Sequence, residues 1–148
     1  MSSETATKKH IEEVSRILEY FAMCLEQVGL NHDASKLEKP ERIYLEKMTP
    51  KLNNTTYGTD EYFNNLKKSF TDEHYKKNSH HPEHFDNGIS GMCLVDLIEM
   101  FSDWCAALKR HSDGSFEQSM VVNKKRFKMS PQLVALFNNT YEKYKDFL

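Results

Sequence analysis

Apolar residues recur at three- and four-residue steps along almost the whole chain, the period of a helix and not of a strand. Near the N-terminus His10, Val14, Ile17, Leu18, Phe21, Cys24, Leu25 and Val28 fall on one helix face, and Gly29 supplies a stop signal. Pro40 suits the first turn of a second helix, where its missing amide hydrogen is not needed; Ile43, Tyr44 and Met48 follow before Pro50. The polar string "TPKLNNTTYG" then reads as a loop. Thr59 is an N-cap for a third helix, with Asp60 and Glu61 in its first turn and Phe63, Leu66, Phe70 and His74 along one side. Pro82 ends or bends what precedes it.

Ser90 offers a cap for a fourth helix through "GMCLVDLIEMFSDWCAALKR", closed by the turn "SDGS". A short segment from Phe116 leads to Ser130 and Pro131, an N-cap and first-turn pair. The last helix they open has Leu133, Phe137, Tyr141, Tyr144 and Leu148 on its buried side. No strand or internal repeat emerges, so the pattern predicts an all-α fold, with residues 1–148 as a single domain.

At 148 residues, 39% hydrophobic and 28% charged, the chain has the balance of a folded globular protein. A net charge of −2 leaves no basic footprint for bulk nucleic-acid binding. No apolar run approaches the roughly 18–20 residues of a membrane helix, and "MSSETATKKH" lacks the apolar centre of a secretory signal. Together these predict a cytoplasmic protein. Cys24, Cys93 and Cys105 lie in apolar helical patterns and form no CxxC, so they read as reduced core residues. No P-loop, GxGxxG or GxSxG is present.

Four polar groupings do not fit simple packing. His10 sits on the apolar face of the first helix, either as a core histidine bonded to a carbonyl or as a ligand. His32 and Asp33 are adjacent at a loop-to-helix junction, where both side chains can reach one ion; alternatively Asp33 caps a turn and His32 is exposed. Between His74 and Asp86, thirteen residues hold four histidines (His74, His80, His81, His84), Glu83 and Asp86, with Asn78 one turn beyond His74 on the same face. This is either a cleft lining or a surface tract. Asp96, Glu99 and Asp103 share a face of the fourth helix with Arg110, as a site wall or a solvated stripe. One ligand set drawn from four helical regions is what a bundle-core metal site requires.

These residues resemble HD-domain metal-dependent phosphohydrolases, all-α proteins that hold ions with a histidine, an adjacent His-Asp pair and a later aspartate. His10, His32, Asp33 and Asp103 match that order. "HDASKLEKP" and "HHPEHFDNG" are also similar to the cyclic-di-GMP phosphodiesterase branch, by which His80 and His81 would ligate a second ion. A closer resemblance is to an uncharacterised family of short phage and bacterial proteins carrying HDxSK…HxxxNxHHxEHF…EMxxDW. Those segments are here His32 to Lys36, His74 to Phe85 and Glu99 to Trp104. The resemblance implies an HD-like bundle of about five to six helices.

It also implies one or two divalent transition-metal ions (Mn, Fe, Co or Zn), with His10, His32, Asp33, His74, His80, His81 and Asp103 as the candidate ligands. The expected reaction is hydrolysis of a small phosphorylated substrate, of nucleotide type, by water activated at the metal. Asp33 orients the water, Lys36 neutralises phosphate charge, and Glu99 or Glu83 serves as general acid/base or supports a ligating histidine. Asn78, His84 and Asp96 are candidates for substrate contact. The alternative is a non-catalytic metal-binding helical protein, an interaction module of a phage or mobile element. The aromatic-rich C-terminal helix offers a surface for self-association.

Overall fold

The computed structural model describes residues 2–52, 55, 59, 61, 68–109 and 114–148, and every regular element among them is helical. By its internal contacts the chain divides into two units, Met1–His32 and Asp33–Leu148.

The first unit is one helix, α1 (Ser3–Asn31). Ser2 caps it by accepting the Thr5 amide at 3.2 Å, and Glu4 in the first turn complements the positive end of the helix. The helix runs two residues past Gly29, and the Asn31 side chain bonds the Gln27 carbonyl at 2.8 Å. None of the α1 residues is buried.

The second unit holds α2 (Glu41–Leu52), α3 (Lys68–Lys77), α4 (Leu94–Leu108), α5 (Phe116–Arg126) and α6 (Pro131–Tyr144). Three short 3-10 turns, Ala34–Leu37, Pro82–His84 and Gly88–Gly91, link them. Its apolar core is built by the last three helices: Met100, Phe101, Trp104 and Cys105 of α4, Phe116 and Met120 of α5, then Met129 and Phe137. Aromatic pairs lock it, with Phe116 stacked on Tyr141 at 3.8 Å and Phe101 5.3 Å from Phe137. Ser130 caps α6 by accepting the Leu133 amide at 3.2 Å, with Pro131 in the first turn as the pattern predicts. The segment after Phe116, read only as a connection, is an eleven-residue helix capped by Ser115.

Two boundaries differ from expectation. Helix α2 includes Pro50 and ends at Leu52. Pro50 brings no N–H to that turn, and Thr49 Oγ1 donates to the Leu45 carbonyl there at 2.7 Å. Helix α4 is capped at Cys93, not Ser90, because Asp96 Oδ2 accepts the Cys93 amide at 2.8 Å. Ser90 instead lies in a tight turn, where a Cβ on Gly91 would meet Asn87 Oδ1 at 2.3 Å. Cys93 is exposed and Cys24 partly so, against expectation; of the three cysteines only Cys105 is a core residue. The expected opening of the third helix, with Asp60, Phe63 and Leu66, lies outside the described residues, as does Arg110.

Candidate metal centre

Asp33 opens the second unit in a left-handed conformation, φ 55° and ψ 19°. Among non-glycine residues Asp and Asn tolerate this region best, and residues held there often belong to functional sites. The conformation turns the chain out of α1 into the Ala34–Leu37 turn, whose Lys36 amide bonds the Asp33 carbonyl at 2.8 Å. The Lys36 ammonium folds back onto Asp33 Oδ2.

His74 lies in the last turns of α3, one turn after Phe70. Their rings stack at 5.8 Å with 2° between planes, and Tyr44 of α2 stacks behind Phe70 at 4.6 Å. After α3 ends, His81 takes the extended conformation that a residue before proline requires, and buried Pro82 fixes the chain behind it. The His80 and His81 rings then sit 4.1 Å apart, with Tyr75 packed 4.7 Å from His81.

These local decisions bring four side chains to one point. One donor atom from each of Asp33, His74, His80 and His81 lies within 4.8 Å of the others. His74 Nε2 is 3.2 Å from Asp33 Oδ1 and 2.9 Å from His81 Nε2, and His80 Nε2 is 3.6 Å from the same carboxylate oxygen. Ligand atoms placed roughly 2.0–2.1 Å from a tetrahedral ion stand about 3.3 Å from one another, so the spacing fits such an ion. Nitrogen and carboxylate donors without thiolate suit Zn, Mn, Fe or Co.

The opposite ring nitrogens meet carboxylates. His74 Nδ1 is 2.9 Å from Glu41 Oε2, and His80 Nδ1 is 3.0 Å from Glu99 Oε1. An ionised carboxylate only accepts, so with a cation at the centre each Nδ1 would donate to its carboxylate and leave the Nε2 lone pair to the ion. Ser35 Oγ donates to Glu41 Oε2 at 2.9 Å, while Asn78 Nδ2 donates to Ser35 Oγ at 3.0 Å and to the His74 carbonyl at 2.8 Å.

Burial and then the charges of His80 and His74 push the His81 imidazole down to about 2, which keeps its lone pair free of a proton at neutral pH. Burial alone would raise the Glu41 carboxyl. Bonds from His74, Ser35 and Lys77 together outweigh it and hold the group below its ordinary value.

The other candidates have definite places. Asp103 offers an oxygen within 4.8 Å of a His80 ring nitrogen. His32 is the C-cap of α1, immediately before Asp33 in the chain, and His10 is an exposed position of the same helix. Asp96 caps α4 and accepts Ser79 Oγ at 2.7 Å, anchoring the residue before His80. Glu83 pairs with Arg126 at 2.6 Å, and Arg126 also donates to the Tyr75 hydroxyl at 2.9 Å. His84 Nδ1 meets the Tyr75 carbonyl at 3.0 Å. Asn78 acts on His74 and Ser35 in this arrangement.

Sequence reasoning missed Glu41 and Ser35. Glu41 looks like an ordinary first-turn acid after Pro40, and only its place at the turn facing "HDASK" could have signalled more. Cys105 has its thiol pushed up to about 11 by burial, which suits packing and not nucleophilic chemistry. Among the described residues no helix is long and apolar enough to cross a membrane. No curated protein and no solved structure matches the chain. The model of a family of unknown function (DUF5662) matches residues 1–143, and the chain belongs to that family.

Proposed function

We propose that the protein is a metal-dependent phosphohydrolase of the HD type, acting on a small phosphorylated substrate such as a nucleotide. One observation carries the reading. His74 and His80 both turn Nε2 toward Asp33 Oδ1 while a carboxylate holds each Nδ1, the arrangement by which proteins orient metal-ligating histidines. A divalent ion bound there would supply a Lewis acid for a phosphoryl oxygen and lower the pKa of water.

The chain's own residues divide the remaining work. Asp33 and the neutral His81 hold and orient what binds between them. Lys36, kept at Asp33 by its ion pair, brings a positive charge to the edge of the cluster, where phosphate oxygens would meet it. Glu99 is 11% exposed on its side chain and sits against His80, so it suits both histidine support and proton exchange. Asp103 adds a carboxylate beside His80.

A second reading is favoured by another observation. Lys36, the candidate phosphate contact, and Glu83, a candidate general acid/base, already pair with Asp33 and Arg126. The same ligands would then form a structural metal site in a non-catalytic interaction module, since a fold does not dictate an activity.

Phosphate release separates the two. Chain purified without a histidine tag is assayed against nucleotides with Mn, Fe, Co or Zn added. Turnover that disappears in Asp33→Asn supports the hydrolase; bound metal with no turnover on any nucleotide supports the module.

A further inference from the structure

We infer that Glu41 and Glu99 are a matched pair of positioning residues that fix the imidazoles of His74 and His80 for metal binding. The inference rests on the metal reading of the centre and concerns residues that would not touch the ion.

Glu41 is 1% exposed. Burying a carboxylate costs several kcal/mol unless hydrogen bonds and an opposite charge offset it, and a first-turn acid complements the helix dipole equally well from the surface. Its burial therefore needs a reason other than α2. The chain sets His74 Nδ1 and Ser35 Oγ, each at 2.9 Å, against Oε2 and the Lys77 ammonium 3.2 Å from Oε1. Ser35 comes from the turn that carries Asp33, and His74 and Lys77 come from α3. Glu41 thus ties together the two segments that must meet at the centre.

The effect on His74 is specific. With a cation at the centre the acceptor-only Glu41 would keep the proton on Nδ1, and the Phe70 ring fixes the imidazole plane, so Nε2 has one direction left. That direction ends at Asp33 Oδ1 and His81 Nε2. Glu99 repeats the device on His80 from a different helix. Two independent carboxylates setting two adjacent histidines in the same tautomer is a pattern that apolar packing does not require.

The test titrates the full-length chain with Co²⁺ while recording visible absorption, and measures Zn²⁺ affinity by competition with a chromophoric chelator. Glu41→Ala is expected to weaken Zn²⁺ binding by about 10–100-fold and to alter the Co²⁺ spectrum. Glu41→Gln should recover part of the loss, because its amide oxygen still accepts the Nδ1 proton. Lys77→Met removes a partner of Glu41 without touching His74 and should change affinity by no more than about threefold. Glu99→Gln should weaken binding by about tenfold on its own, and it decides the matter if the Glu41 variants fail to fold by circular dichroism.

Wild-type affinity and spectrum in folded Glu41→Ala, or in Glu99→Gln when the Glu41 variants do not fold, would overturn this inference alone. A wild-type chain that takes up neither Co²⁺ nor Zn²⁺ would overturn it together with the metal reading.

Discussion

The second unit buries two regions of opposite character. Around Trp104, Phe116 and Phe137 the interior is aromatic and sulfur-containing, and each buried ring adds stability through area and stacking. Around His74 and His80 the side chains are as deeply buried, at 3% and 2% exposure, yet they are polar and converge on carboxylates. Burial stabilises the first region by itself. In the second it costs desolvation that hydrogen bonds recover only in part, a cost that packing alone does not call for. Depth of burial therefore does not separate packing from chemistry; the direction of each ring nitrogen does.

Breaking the aromatic region should give the largest loss of stability. Phe137→Ala, at a side chain 3% exposed, should cost about 3–5 kcal/mol in denaturant unfolding, equally with and without added metal. Asp33→Asn should do the reverse. The amide keeps the left-handed backbone tolerable, so apo stability stays near wild type, while Zn²⁺ affinity falls by at least about tenfold as one anionic ligand is lost.

Acid should sharpen the contrast. Between its ordinary value of 6.5 and about 2, His81 binds a proton in the unfolded chain that the folded chain refuses. Stability from this group is complete above 6.5 and is lost progressively as the pH falls. Glu41, held below its ordinary carboxylate value, adds to the same loss at lower pH. Melting temperature should therefore drop from pH 7 to pH 4, and His81→Gln should flatten the upper part of that slope. The smallest effect belongs to the surface: Ser130→Ala removes the α6 cap and should cost about 1 kcal/mol, read as a shift in denaturation midpoint with metal affinity unchanged.

Much of the helical pattern was legible because its signals are local. Ser130-Pro131 announced α6, and the spacing of Phe70 and His74 placed them on one face of α3, with Asn78 just past its end. The Pro50 and Cys93 boundaries were not legible, since each depends on what a neighbouring turn could accept. The same division holds at the centre. "HDASK" and "NSHH" show unusual donor residues on sight, and the structure brings Asp33, His74, His80 and His81 within reach of one another. Glu41 is 33 residues from His74 in sequence, and nothing in its local context distinguishes it from any acid opening a helix. Ligand-type residues can be read from composition; the partners that aim them belong to tertiary structure.

The most direct test of the account is the metal content of the untagged chain after exhaustive dialysis and reloading with Zn²⁺, measured by elemental analysis. The account predicts at least one tightly held equivalent per chain, lost in His74→Ala combined with His80→Ala. A folded wild-type chain that retains no metal under those conditions would contradict it.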